Sequence, residues 1–343
     1  MPLSRRTFIQ ALSLLLCLPT LEGTAATPLA LHVGERPAPA PAHIRRIISA
    51  GAPADMLLLA AAPEKLLGFS SFDFSQFPDA PVPADIARLP RLGRLAGHAS
   101  TLSLETLLAL EPDLVVDCGN VDDSWVSQAQ RVSERSKIPW VLIGGNLASS
   151  AQQLLTIGDI VGTEARTRRQ AALAQRFIAD AQAFSSGSRA RTRFYAARGA
   201  KGLETGLAGS LHTEAAELLG LENVARVAGR SGLTQVSLEN LLAWQPDIIL
   251  TQNVTTRNYI LQDPAWKGVS AAAKRQVLLL DGLPFGWLDA PPGINRLAGM
   301  RRLHAWLDPR IQTSLQDDLT RYSSLFWHAA LTPARYATLM HSA

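Results

Sequence analysis

The sequence predicts an α/β protein with two similar lobes, mainly parallel sheets, and one long α-helix that joins the lobes. Three observations support this fold class. A helix-then-strand segment occurs twice, strands alternate with helices around each copy, and a long helical pattern separates the copies. The chain has 343 residues, of which 47% are hydrophobic and 18% charged, so it can bury two cores of ordinary domain size.

The duplicated segment is SLETLLALEPDLVVD at residues 103–117 and SLENLLAWQPDIILT at residues 237–251. Eight positions are identical at a constant offset of 134 residues, counted from Ser103 to Ser237. In each copy the serine is placed to cap a short helix that has a glutamate in its first turn. Pro-Asp ends the helix and a β-branched run follows as a buried strand. Two copies at this spacing predict two related lobes rather than a repeat array.

Strands that alternate with helices predict a parallel sheet in each lobe. The N-terminal lobe is expected at 44–147, and the C-terminal lobe with its terminal helices at 190–343. Between them, residues 148–186 lack proline and keep a helical spacing of apolar side chains. This pattern predicts a single spine helix roughly 50 Å long. The alternative is two helices broken near Gly162.

The N-terminus has the pattern of an export signal. A pair of arginines and Phe8 precede a short apolar run, and small residues surround Ala26, which predicts a cleaved signal peptide over 1–26. The consecutive arginines favour a twin-arginine (Tat) signal over an ordinary secretory one. The apolar run is too short to span a bilayer, so stable membrane insertion is not expected. Residues 27–43, rich in proline and alanine, are expected to be a flexible leader.

Composition and motifs argue against several functions. The net charge is +4, and no basic run is interleaved with aromatic residues, so nucleic-acid binding is not expected. Cys118 would be the one cysteine left after signal removal, and it is expected to be a small buried residue. Because the chain contains no Walker loop, GxSxG, HExxH or CxxC motif, neither catalytic residues nor a metal site are predicted.

Ligands of open parallel sheets bind at the carboxyl ends of the strands, and these ends supply the candidate binding residues. Glycines there either let backbone amides approach a ligand or simply make turns. Arg198 is expected to add a fixed positive charge, while Tyr195 and Trp287 would stack on the ligand. His212 is either a cleft residue or an exposed or capping histidine. The aromatic residues of loop 70–84 either line the mouth or cap the core. The candidates are Gly51, Ala52, Gly119, Asn120, Tyr195, Arg198, Ser210, His212, Asn253 and Trp287.

Over about residues 44–310 the chain resembles the substrate-binding proteins of ABC importers for iron–siderophores, haem and cobalamin. The stretches that carry the resemblance are the paired S-L-E-x-L-L-A-x-x-P-D motifs, G-L-E-T-G at 202–206 with Gly209-Ser210, E-L-L-G at 217–220 with Asn223-Val224, and Pro291-Pro292 with Asn295-Arg296-Leu297. Gly293 stands where the P-P-S-x-N-R-L motif of the family has a serine, so a side-chain cap is not implied for the helix that follows.

The resemblance implies a monomeric periplasmic receptor without a cofactor, not an enzyme, which delivers a small metal complex to a permease and its ATPase. An iron(III)-siderophore-type chelate is the expected cargo. Molybdate or tungstate held by backbone amides is the alternative, and cobalamin, haem and nickel chelates stay open. A metal chelatase-like enzyme is the alternative from another class. A long spine helix implies small hinge motion between the lobes.

The resemblance also implies a docking role for one glutamate on each lobe. In such proteins these glutamates contact arginines of the permease, and Glu105 and Glu239 fall on the matching motif positions. Charged contacts of this kind mostly set orientation and association rate. The alternative is that both glutamates only favour the first turns of their helices.

Overall fold

The computed structural model describes residues 29–77, 80–96, 100–119, 121–187, 191–282 and 286–341. The predicted signal segment 1–26 and the candidate residue Asn120 lie outside these ranges. No helix within the described ranges is long and apolar enough to cross a membrane.

The N-terminal lobe is built on a four-stranded sheet in the order β1-β4-β3-β2. Strands β2, β3 and β4 are parallel to one another, and β1 runs antiparallel to β4. The strands are β1 (Ala30–Val33), β2 (Ile47–Ser49), β3 (Leu114–Cys118) and β4 (Trp140–Ile143). The helices of this lobe are α1 (Ala52–Ala61), α2 (Ala84–Ala87), α3 (Leu104–Ala109) and α4 (Asp123–Ser136).

Strand β1 lies inside the segment that was expected to be a flexible leader. Ala30 pairs with Ile143 and Val33 pairs with Trp140, so that prediction is wrong for the strand. Four residues carry too little pattern to predict a strand, and the free edge of β4 supplies the hydrogen bonds. Beside β2, residues 66–69 make only isolated bridges, from Leu66 to Ile47 and from Phe69 to Arg91.

The connecting segment consists of two helices, α5 (Ser150–Val161) and α6 (Glu164–Ser185), so the prediction of one long helix over 148–186 is wrong. The alternative break at Gly162 is confirmed, because this residue has a φ of +73° in the left-handed region that glycine adopts without strain. A β-carbon on Gly158 would overlap Thr167 Oγ1, which shows that α5 turns back against α6. Helix α6, with 22 residues, is the long connecting helix.

The C-terminal lobe is built on a parallel sheet in the order β10-β9-β5-β7, with a separate antiparallel ribbon of β6 and β8. The strands are β5 (Arg193–Ala196), β6 (Glu204–Gly206), β7 (Glu222–Asn223), β8 (Leu233–Gln235), β9 (Ile248–Thr251) and β10 (Val277–Leu279). The helices are α7 (Glu214–Glu217), α8 (Leu238–Trp244), α9 (Val254–Gln262), α10 (Ser270–Ala273), α11 (Arg296–Leu307), α12 (Pro309–Gln312), α13 (Leu315–Tyr322) and α14 (Pro333–His341), with a π-helical turn at Ser323–Trp327. Helix α11 has no side-chain cap, as the glycine at position 293 suggested.

Both faces of each sheet are buried, as parallel sheets require. In β9, Ile248 and Leu250 belong to one large core that both lobes share, while Ile249 belongs to a smaller core of the C-terminal lobe. Gln170 of α6 links the lobes within the shared core. Its amide donates to Ala60 O of α1 and to Leu325 O of the π-helical turn, both at 2.7 Å.

The two copies of the duplicated segment fold alike, and both predicted helix caps are confirmed. Ser103 Oγ accepts a hydrogen bond from Thr106 N at 3.0 Å, and Ser237 Oγ accepts one from Asn240 N at 3.3 Å. Each cap satisfies a backbone donor of the first helical turn, which would otherwise have no partner within the helix.

The aspartate of each Pro-Asp pair joins the helix–strand unit to the first strand of the parallel set. Asp113 Oδ2 accepts from Arg45 N and Arg46 N at 2.8 and 2.9 Å. Asp247 Oδ2 accepts from Arg193 N at 2.8 Å. The same arginines donate to carbonyls at the helix ends: Arg46 to Leu110 O and Glu111 O, and Arg193 to Gln245 O. Equivalent side chains therefore hold equivalent strands in register in both lobes.

We expect Asp113→Ala to lower the free energy of unfolding by about 1–2 kcal/mol, because two backbone N–H groups lose a charged acceptor. Asp113→Asn keeps an acceptor oxygen and should lose less. Asp159→Ala, which removes an exposed carboxylate from α5, is the control and should change stability by less than about 0.5 kcal/mol. Chemical denaturation measures all three; wild-type stability of Asp113→Ala would show that strand register does not depend on this carboxylate.

Candidate ligand-binding cleft

A cleft of about 510 Å³ opens between the two lobes. The cleft is lined from the N-terminal lobe by Ser71, Phe72, Asp73, Gln76, Phe77 and Arg91, and from the C-terminal lobe by Gln252, Asn253, Asp281, Gly282, Gly286 and Ala290. Gln252 and Asn253 directly follow β9, so this wall is formed at the carboxyl end of a parallel strand, as predicted for ligand binding. The volume lies in the range of small-molecule sites.

A second depression of about 460 Å³ continues along the N-terminal wall and shares Ser71 and Arg91 with the cleft. Arg94 and the hydroxyl-bearing Ser70 and Thr101 also line it. Arg91 and Arg94 are exposed, and neither forms a salt bridge within the described part of the chain. This wall therefore presents two guanidinium groups to solvent.

A buried carboxylate holds the N-terminal wall in place. Asp55 of α1 is fully buried; its Oδ1 accepts from Ser70 N at 2.8 Å, and its Oδ2 accepts from Ser70 Oγ at 2.8 Å and Ser71 N at 3.1 Å. Desolvation raises the pKa of Asp55 to about 6, although these hydrogen bonds oppose the shift. The adjacent bridge between Phe69 and Arg91 brings the arginine beside the same loop.

Asp289 is the centre of a polar cluster on the C-terminal wall, and its side chain is only 2% exposed. Its Oδ2 accepts from Arg198 and lies 2.7 Å from His212 Nδ1, and its Oδ1 accepts from the Gln252 amide. Arg198 Nε also donates to Glu204 Oε1 at 3.0 Å. The carboxylate thus has a partner for each oxygen, which a buried charge requires.

The pairing of Arg198 corrects one prediction. This guanidinium was expected to be a fixed positive charge for the ligand, but Asp289 and Glu204 compensate it. The structure does bring Arg198, His212 and the end of β9 together. Asp289 contacts Arg198 and His212 directly, and it also accepts from the Gln252 amide, which is the residue before Asn253.

The two aromatic residues predicted to stack on the ligand do not line the cleft. Tyr195 is fully buried in the smaller core of the C-terminal lobe, and its hydroxyl donates to Gly202 O at 2.9 Å. Trp287 is also fully buried and packs against Trp327 with ring centroids 5.8 Å apart. Both predictions were wrong. Tyr195 lies on the face of β5 that packs on the core, and the loop that carries Trp287 folds inward. Phe72 and Phe77 of the loop at 70–84 line the cleft instead.

Three backbone candidates lie at the carboxyl ends of neighbouring strands in the N-terminal lobe. Gly51 is the N-cap of α1, Ala52 begins that helix, and Gly119 follows β3. A β-carbon on Gly119 would meet no other atom within 4 Å, so this turn borders open space. None of the three lines either cavity described above.

The end of β3 also carries two buried titratable groups. Asp117 accepts from Cys118 N at 2.8 Å, and desolvation raises the pKa of this carboxyl to about 7. Cys118 is buried, as predicted, and desolvation raises the pKa of its thiol to about 12. Burial of Cys118 therefore disfavours the thiolate, which is the form that binds metals.

The remaining two described candidates have different surroundings. Ser210 is 4% exposed and lies within hydrogen-bonding reach of Thr213 Oγ1, so it supports the start of α7 from inside. Asn253 lines the cleft and also caps α9, since its Oδ1 accepts from Thr255 N and Thr256 N.

Asp289, Gln252, Arg91 and the pair at Ser70 and Ser71 were not predicted. Gln252 had a signal, because it occupies the strand end next to Asn253. Asp289 had a weaker one, as the last acidic residue before Pro291-Pro292. Arg91 had none, since its place depends on a bridge between two loops. Among the described residues, no group of three or more His, Cys, Asp and Glu side chains is placed to hold a metal ion.

Comparison with known proteins places this geometry in a family. A family model described as periplasmic binding protein matches residues 51–283. No curated protein sequence matches the chain. Solved structures share its fold, including an ABC transporter solute binding protein from Sulfurospirillum deleyianum, with 24% identity and a TM-score of 0.77 over 87% of this chain and 94% of that one.

Two further structures have the same fold and different ligands in their names. The molybdate-bound periplasmic protein MolA of Haemophilus influenzae is 23% identical, with a TM-score of 0.65 over 87% of this chain and 96% of that one. The vitamin B12 binding protein BtuF of Vibrio cholerae is 21% identical, with a TM-score of 0.60 over 78% of this chain and 98% of that one. The family model covers most of both lobes, and on that match the chain belongs to the periplasmic binding protein family.

Proposed function

We propose that this protein captures an iron(III)-siderophore-type chelate in the periplasm and delivers it to an ABC importer. The observation that carries the proposal is the cleft of about 510 Å³ with Arg91 on its wall and Phe72 and Phe77 beside it. Guanidinium groups bind anionic oxygen ligands and stack on planar groups, and aromatic rings pack against the organic part of a chelator. A site of this size suits a whole complex rather than a bare ion.

The two walls would act differently on such a ligand. The N-terminal wall carries the guanidinium groups of Arg91 and Arg94 together with the carboxylate of Asp73. On the C-terminal side, Asp289 pairs with Arg198 and accepts from the Gln252 amide of the cleft wall, which Asp281 also lines. Because no described cluster is placed to hold a metal ion, we expect the chelator to supply most of the metal's ligands.

A small oxyanion such as molybdate or tungstate is the second candidate. The neighbouring depression favours it, because the guanidinium groups of Arg91 and Arg94 and the hydroxyl group of Thr101 line it. Charge-assisted hydrogen bonds from such groups are the usual means of holding an oxyanion. Cobalamin, haem and nickel chelates are further candidates for the main cleft.

The site supports binding rather than catalysis. His212 contacts Asp289 as in a catalytic triad, but Arg198 and Gln252 occupy the rest of that carboxylate. No serine, threonine or cysteine side chain in the described ranges hydrogen-bonds to His212. A chelatase-like enzyme would need an acid–base pair in the cleft, which this cluster does not provide. We propose that the protein acts as a monomeric receptor.

Glu105 and Glu239 are proposed to dock the receptor on its permease. Both are exposed in the first turns of α3 and α8, and hydrogen bonding from Ser237 lowers the pKa of Glu239. Two like charges on two like lobes suit a partner that presents two like cationic sites.

Tryptophan-fluorescence titration of the mature protein tests the ligand class. Trp287 lies directly behind Gly282 of the cleft wall and should report binding. Ferric catecholate and hydroxamate complexes are expected to give a saturable response, in a panel that also contains haem, cobalamin, nickel–histidine, molybdate and tungstate. A response to molybdate or tungstate alone would replace the cargo with an oxyanion, and no response to any compound would contradict the receptor role.

Arg91→Gln should weaken binding of the responding anionic ligand by about fivefold, because a partly solvated charge contact is lost. Arg88→Gln is the control, since Arg88 is an exposed arginine that lines neither cavity. The same titration measures both variants. Equal affinity of Arg91→Gln and Arg88→Gln would remove Arg91 from the binding site.

The double variant Glu105→Gln/Glu239→Gln should slow association with the importer by about tenfold at low salt, because electrostatic steering is lost. Ligand affinity should not change, since neither residue lines the cleft. Glu222→Gln, at an exposed carboxylate on β7, is the control. Stopped-flow or surface-based binding to the importer in nanodiscs provides the association rates. An unchanged association rate would mean that both glutamates only favour the first turns of their helices.

A further inference from the structure

Two exposed leucines occupy equivalent positions in the two copies of the duplicated segment. Leu108 is 46% exposed in α3 and Leu242 is 40% exposed in α8. Their neighbours in sequence, Leu107 and Leu241, are fully buried and anchor each helix in a core. A polar side chain at the exposed positions would leave the packing of Leu107 and Leu241 unchanged, although Leu242 also packs on Gly268.

Each exposed leucine lies beside an exposed glutamate. Leu108 follows Glu105 by three residues, and Leu242 follows Glu239 by the same spacing, which puts both members of each pair on one helix face. Both glutamates are exposed as well. The two lobes therefore present the same pair of groups, one anionic and one apolar.

The helices that carry these pairs are held firmly at both ends. Serine caps the start of each helix, and Arg46 or Arg193 donates to carbonyls at its end. Leu242 also packs on Gly268, where the Gln245 amide donates to Leu242 O and Gly268 O. A rigid helix loses little conformational entropy when its exposed side chains become buried in a complex.

The surroundings of Leu108 combine apolar and charged side chains. Leu108 borders a depression of about 450 Å³ that is lined by Pro37, Pro39, Ile138 and Pro139 and also by the charged residues Arg36, Glu111, Asp113 and Lys137. Apolar surface beside a charge is the composition of an interface centre with a polar rim.

We infer that Leu108 and Leu242 are apolar anchors of the docking surface, and that the partner is a membrane permease of two like subunits, each with an apolar socket beside a cation. The inference rests on the proposed docking role of Glu105 and Glu239. A partner with a single site would engage one lobe only, whereas a two-fold partner engages both copies of the same Glu–Leu pair at once.

The leucines and the glutamates have separable effects on binding. Charges act over several ångströms and raise the association rate, whereas apolar contacts form only in the final complex and lower the dissociation rate. A buried leucine at the centre of an interface contributes through the area it removes from water. The leucines are therefore expected to set how long the complex lasts.

Kinetics of binding to the importer in nanodiscs test this inference with the double variant Leu108→Gln/Leu242→Gln. We expect dissociation to accelerate by about tenfold or more, with association within about twofold of wild type. Each single variant should accelerate dissociation by about threefold to fivefold. Leu233→Gln is the control, because Leu233 is 43% exposed on β8 and lies outside α3 and α8. This variant should leave both the association rate and the dissociation rate unchanged. Thermal unfolding and ligand titration verify that the variants are folded and bind ligand.

The outcomes separate this inference from the proposed function. If the double leucine variant dissociates at the wild-type rate while the double glutamate variant associates more slowly, the leucines are not anchors but the docking role of the glutamates stands. Equal acceleration by Leu233→Gln would also overturn them, because any exposed leucine would then have the same effect. Failure of the wild-type protein to bind the importer would overturn both.

Discussion

The two lobes depend on the hydrogen bonds that the carboxylates of Asp113 and Asp247 accept from backbone N–H groups at the start of β2 and β5. Each aspartate lies between a helix that carries an exposed glutamate and a strand that it directly precedes. One short segment therefore sets the position of an exposed glutamate and of a strand. Because the segment occurs twice, both lobes present the same groups at their surfaces.

A shared core joins the duplicated lobes. Gln170 bonds to backbone from both sides of the molecule, and buried Arg301 pairs with Asp180 of α6 and Asp318 of α13. A wide separation of the lobes would expose the apolar side chains of this shared core to water and break the hydrogen bonds of Gln170. The shared core therefore favours the small hinge motion that the resemblance implies.

The cleft is asymmetric although the lobes are related. The N-terminal wall keeps Arg91 and Arg94 available to a ligand, whereas the C-terminal wall uses Arg198 to satisfy Asp289. The duplicated helix–strand unit constrains backbone geometry, while the loops beyond the strands carry different side chains. The duplicated unit therefore presents like groups on both lobes, whereas unlike loops line the cleft.

The sequence by itself determined the two-lobed α/β fold, the helix caps and the positions of the paired glutamates, because these follow from local periodicity and from an internal repeat. It also contained the break at Gly162 as an alternative, since glycine favours the left-handed cap. Only the tertiary structure decided that residues 30–33 pair with β4, that Tyr195 and Trp287 face cores, and that Arg198 meets Asp289. Those outcomes depend on which strand edges, strand faces and distant loops contact one another in the folded chain, and local periodicity carries no information about such contacts.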